Sequence, residues 1–267
     1  MSTAVMVERS AEASPRFTAR TAGFSWLMTI LTGAFAMVVG GRFVVAGDAE
    51  ATAASILGHE PLFRLGIAAN LIAGACYIGA TLLVYDLLKP VNRSVSLLAA
   101  FFSLVGCAVG AFSDLFHLAP LVVLGGARYL SVFTVEQRQA LALMFLRLQA
   151  QAYNISFVFF GLHCLLIGCL ILRSTFLPRI VGALMAFAGL GWLTLSFASL
   201  LSPPLAGYLV PYIMAPGALG EGSLTLWLLV MGVNVERWKE QARGRRPGRE
   251  EANNRGAAVS LRKLAAP

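Results

Sequence analysis

Asp114 and His117 stand three residues apart within one long apolar stretch. On a helix, residues at i and i+3 share a face and can touch. A carboxylate that orients an imidazole is the arrangement general-base catalysis uses. Two more charged residues, Arg147 and Glu221, also lie inside apolar stretches. The chain has 21 basic and 13 acidic residues, and all the others fall in tails, connectors or helix ends. Groups of this kind can bind a ligand, pass a proton, act on a lipid, or only orient helices.

The segregation of charge is what a bilayer imposes, because an unpaired charge in hydrocarbon is costly. Composition agrees. Of the 267 residues, 58% are hydrophobic and 13% charged, about half the charge of a soluble domain. Six segments are long enough to cross ~30 Å of hydrocarbon, which takes about 20 helical residues. They run over about 22–45, 63–86, 95–124, 140–172, 179–201 and 217–235. Their length and continuity exclude barrel strands. The expected fold is all-α, an integral membrane bundle of six transmembrane helices. Residues 1–21 form an N-terminal segment, 22–235 the membrane domain, and 236–267 a basic, disordered tail. The first span is too long for a cleavable signal.

Basic residues set the orientation. With both termini cytoplasmic, sixteen lie inside and four outside, at Arg42, Arg64, Arg128 and Arg138. The expected location is the inner (plasma) membrane of the cell. Nine basic residues follow Val235, with no aromatic interleaving, so contact with nucleic acid is not expected. The four cysteines all lie in apolar segments without metal-finger spacing.

The connectors carry local signals. Residues 47–59 begin with Gly47 and Asp48 and continue with Ala-rich helix formers, predicting a short external helix. Thr134 and Gln137 form a capping-box pattern that opens the fourth span. Prolines at 203, 204, 211 and 216 predict an outer loop or partly re-entrant cap before the last span.

Counting at 1.5 Å per residue from the inner helix ends places Asn70, Asp114, Asn154 and Glu221 at ~21–28 Å, in the outer part of the membrane. Arg147, Gln151 and Asn154 share one face of the fourth span, which predicts convergence on an outward-open polar pocket. Gly106 and Gly110 make a close-packing patch beside Asp114. His163 lies deeper, on a second polar face of the fourth span, which suggests that this helix is central. A lone intramembrane histidine is most often a hydrogen-bonded packing residue.

Known catalytic signatures such as HExxH, GxSxG or a P-loop are absent. Ser113 and His117 resemble the Ser-x3-His element of zinc-using ceramidase-like intramembrane hydrolases. The later His-x3-His pair of that superfamily is missing, so no metal or other cofactor is expected.

Six blocks carry a broader resemblance. They are LFRLG (62–66), LLKPVNR (87–93), QALALMFLRL (139–148), FFGLHCLLIG (159–168), FLPRIVGALMAFAGLGWL (176–193) and GEGSLTLWLLVMGVN (220–234). Together they resemble a bacterial family of polytopic membrane proteins, domain of unknown function 4386, over about residues 15–235. The resemblance implies a multi-pass helical membrane protein. It puts weight on His163 and Glu221, which fall inside the blocks, and it implies no activity.

The functional expectation is a membrane protein that binds or passes a small or lipidic ligand through an outward-facing pocket. Asn70, Asp114, His117, Arg147, Gln151, Asn154, His163 and Glu221 are the expected ligand contacts. The alternatives are an intramembrane enzyme acting on a lipid or isoprenoid, with Asp114, His117 and Glu221 as its catalytic groups, and a non-catalytic scaffold. Enzyme activity is the less favoured reading. The expected partners are the lipid bilayer and the ligand, and a homo-oligomer is left open.

Overall fold

The structure, a computed structural model, describes residues 14–244. The remainder of the expected N-terminal segment, 1–13, and the tail beyond 244 lie outside the described residues. Eight α-helices and no strands occur among the described residues. They are α1 (Pro15–Phe43), α2 (Ala49–Gly58), α3 (Glu60–Leu88), α4 (Arg93–Leu124), α5 (Val135–Arg173), α6 (Arg179–Leu201), α7 (Pro203–Leu226) and α8 (Val235–Gly244). Six are long and apolar enough to cross a membrane: α1, α3, α4, α5, α6, and α7 with its continuation to Met231. The chain is a multi-pass helical membrane protein.

Helix starts follow local rules. Pro15 opens α1, where its missing N–H leaves no helical bond unmade. The Asp48 side chain caps α2 by accepting from Ala51 N, and Asn92 caps α4 by accepting from Val95 N. The Thr134–Gln137 capping box opens α5. This helix runs 39 residues, ~57 Å at 1.5 Å per residue, so it exceeds the hydrocarbon thickness.

The region around the prolines differs from expectation. Residues 203–216 are not a loop or cap but the first half of α7. Pro203 and Pro204 occupy the first turn, and only Pro211 and Pro216 lie inside the helix. Without water to satisfy freed carbonyls, a membrane segment stays helical through a proline far more readily than a soluble one. A π-helical turn, Trp227–Met231, ends the span, and Gly232 (φ +70°) reverses the chain where only glycine is unstrained. Asn234 then caps α8 by accepting from Arg237 N at 3.1 Å. Residues 236–244 of the expected disordered tail are therefore helical.

The spans close into a ring in the order α1–α3–α4–α5–α6–α7, with α7 and its π turn returning to α1. Helix α5 is one member of this ring, packed along α4 and α6 and crossed by α2, rather than a central post. Glycines set the tightest seam. A Cβ on Gly189 of α6 would meet Leu165 N of α5 at 2.6 Å, and one on Gly182 would meet Leu172 N at 2.9 Å. Backbones in such contact lock the rotation of both helices.

One end of the ring gathers the start of α1, the end of α3 and α8. There the Trp238 indole donates to the Leu87 carbonyl at 2.9 Å, and Gln241 Oε1 accepts from Thr175 N at 3.0 Å. The opposite end carries α2, whose Ile56 seats against Phe43, Phe63 and Leu146. The ring's centre is filled by a larger cluster that includes Trp26, Tyr77, Cys164, Met185 and Leu224. Large apolar side chains such as Phe35, Leu82, Phe101, Phe112, Phe187 and Leu200 face outward, as a lipid-facing surface requires.

Candidate functional site

The two interior carboxylates, Asp114 and Glu221, each anchor a polar node. The first joins α3 to α4. Asn70 Nδ2 donates to both carboxylate oxygens of Asp114, at 3.1 and 3.0 Å. His117 Nδ1 lies 3.9 Å from Asp114 Oδ1, a contact longer than a hydrogen bond. The His117 ring meets Phe63 edge-on, with centroids 4.8 Å apart. Asp114 is 3% exposed, so its carboxylate is held by protein and not simply by outer water. Ser113 turns its hydroxyl to the Gly110 carbonyl of its own helix, at 2.6 Å. It therefore makes no bond to His117, and the hydrolase-like pattern lacks its geometry.

The second node is built on Glu221 of α7. Trp26 Nε1 of α1 donates to Oε2 at 3.1 Å, and Trp192 Nε1 of α6 donates to Oε1 at 3.0 Å. Each oxygen thus takes one indole N–H from a different helix. Glu221 as a whole residue is half-buried. Glycine makes room for this pairing, because any side chain at Gly217 would collide with the Trp192 ring.

Aromatic rings extend the node across the interior. Phe157 stacks on Trp192 with centroids 4.8 Å apart and planes 7° from parallel. Tyr153 meets Phe157, and Tyr77 meets both Trp26 and Phe160. The glycine patch on α4 serves these rings rather than a backbone seam: a Cβ on Gly106 would meet the Phe160 ring at 2.9 Å.

His163 sits among the same rings, with centroids 6.1 Å from Trp26 and 5.6 Å from Tyr77. Its Nδ1 donates to the Ala99 carbonyl of α4 at 2.8 Å. In the neutral ring this leaves Nε2 as an acceptor. That atom is buried and has no hydrogen-bond partner among the described residues.

The other expected contacts separate from the nodes. Arg147 and Gln151 are exposed, and Arg147 has no ion pair among the described residues. Leu146 turns into the cluster beneath α2, so Arg147, rotated 100° from it, faces out. Arg147 therefore does not balance the interior carboxylates. Asn154 is half-buried, and its main-chain carbonyl accepts from the Ser196 hydroxyl at 2.7 Å. The eight residues thus do not line one pocket. A groove of about 610 Å³ lies at the α8 end, between Arg179, Arg237 and Gln241, and contains none of them.

Sequence reasoning missed Trp26, Trp192, Tyr77 and Tyr153. A signal was present. Membrane tryptophans favour the interfaces, and a buried indole N–H needs an acceptor. Mid-span Trp26 and Trp192 needed such a group, and Glu221 needed donors.

A family model described as a domain of unknown function, DUF4386, matches residues 21–232. An uncharacterized protein of Archaeoglobus fulgidus is 26% identical over 151 residues, which cover 56% of this chain and 72% of that protein. No solved structure matches.

Proposed function

We propose that this chain, which belongs to the DUF4386 family, binds a small or lipidic ligand inside its six-helix ring, with Glu221 as the principal contact. The observation that carries the reading is the Glu221 carboxylate. It lies inside the ring, held by two indole N–H groups and paired with no basic side chain among the described residues. An interior carboxylate calls for a counter-charge or a proton, and the described residues supply no cation to it. The ligand enters from the α2 end, where the Asn70–Asp114 node lies. The protein sits in the plasma membrane with both tails in the cytoplasm, as its basic residues favour.

The enzyme reading has less support. His117 would act as base, but Asp114 stands 3.9 Å away with both oxygens taken by Asn70. General-base catalysis needs hydrogen-bond reach.

Native mass spectrometry of the protein, purified in mild detergent, tests the proposal. A bound non-protein mass is expected on the wild type and on Arg147→Ala, and not on Glu221→Ala. Identical spectra for all three, with folding shown by gel filtration, would sink the reading in favour of a scaffold.

A further inference from the structure

We infer that the ligand of the Glu221 node is an organic cation carrying N–H donors, a protonated amine with an apolar or aromatic body. This inference rests on the ligand-site reading above and adds the chemical class.

The argument begins with charge. Asp114 and Glu221 lie inside the ring, and Arg147, the one basic residue expected there, is exposed. His117 is the only ionisable base beside Asp114, at 3.9 Å, and it belongs to the other node. Glu221 has two neutral indole donors and no cation. A carboxylate in a low-dielectric interior takes up a counter-charge or a proton. The surroundings favour a bulky cation. Trp192, which bonds Glu221, stacks on Phe157, and Tyr153 meets Phe157 edge-on, so an aromatic wall of the kind that attracts cations lies beside the carboxylate.

A second observation comes from α5. His163 is 1% exposed, and its Nε2 is an unpartnered acceptor. Nδ1 is committed to Ala99 of α4, so Nε2 points away from that helix, on the side where the Trp26 and Tyr77 rings lie. Trp26 borders both acceptors: its N–H bonds Glu221 and its ring lies against His163. His163 Nε2 has no protein donor and the Glu221 carboxylate has donors but no counter-charge, so a ligand that brings both a donor and a positive charge answers both. An ammonium carries two or three donors. A neutral alcohol brings one and no charge, and a carboxylate would be repelled.

Three matched probes test the class on the full chain in detergent: phenethylammonium, 2-phenylethanol and 3-phenylpropanoate. The readouts are tryptophan fluorescence and the shift of the unfolding midpoint. Phenethylammonium is expected to bind at least roughly tenfold tighter than the alcohol, the size of one charge-assisted hydrogen bond. Glu221→Gln is expected to abolish that preference. Trp192→Phe keeps the ring and frees one carboxylate oxygen, so the preference should persist or grow. This second variant keeps the test decisive if Glu221→Gln does not fold. Equal binding of amine and alcohol, or tighter binding of the carboxylate, overturns the cation while leaving a ligand site in place. No binding of any probe overturns the cation too, and the native mass spectra then decide the site separately.

Discussion

Asp114 and Glu221 are both interior carboxylates, yet they are held in different ways. Asp114 is clamped by one amide that reaches both its oxygens. Removing that amide leaves a buried charge without its donors, which costs more than losing a net hydrogen bond. Asn70→Ala is therefore expected to lower stability by about 1–3 kcal/mol, read as a fall in the unfolding midpoint in detergent. The double change Asn70→Ala with Asp114→Leu should recover much of it, because the orphaned charge is gone. A double variant no better than Asn70→Ala alone would show that the clamp is not what Asn70 contributes. This node was partly legible from sequence: heights along α3 and α4 put Asn70 level with Asp114, and i, i+3 spacing put His117 beside it. The Glu221 node was not. Its donors lie 195 and 29 residues away, and nothing local links a tryptophan to a distant acid.

At the scale of helices, the seam between α5 and α6 positions the interior groups of both. Gly189 permits backbone contact with Leu165, and the same pair of helices presents His163 and Trp192 to the centre. Gly189→Leu should force the helices apart, at a cost of about 1–3 kcal/mol or more. Gly207→Ala on α7, where nothing lies within 4 Å, should be neutral or slightly stabilising. Comparing the two unfolding midpoints separates a packing effect from a general glycine effect, and equal shifts would refute the seam. The caps of α2 and α5 were readable because a cap is a contact over three residues. The first half of α7 was misread because the rule that proline ends a helix comes from water, where freed carbonyls find partners.

The whole molecule is a ring of spans around an aromatic and polar centre, with α2 at one end and α8 at the other. The sixteen-to-four distribution of basic residues predicts that the α2 end faces away from the cytoplasm. Val132→Cys, beside α5's start, should react with a membrane-impermeant maleimide on intact cells. Ala242→Cys on α8 should react only after permeabilisation. The reverse pattern would invert the topology and place the α2 end inside the cell.

By itself, the sequence determined the membrane class, five of the six spans nearly end to end, and the short α2. Hydrocarbon acts on each residue through its own solvation, so a local reading suffices for these. Only the tertiary structure decided which of the polar residues meet. The ring order, the rotation locked by glycine seams and the crossing of α2 over α5 turn Arg147 outward and bring Trp26 and Trp192 onto Glu221. Those facts depend on which helices are neighbours and how each is rotated. Both are set by packing between distant segments, for which a single chain's periodicity carries no signal.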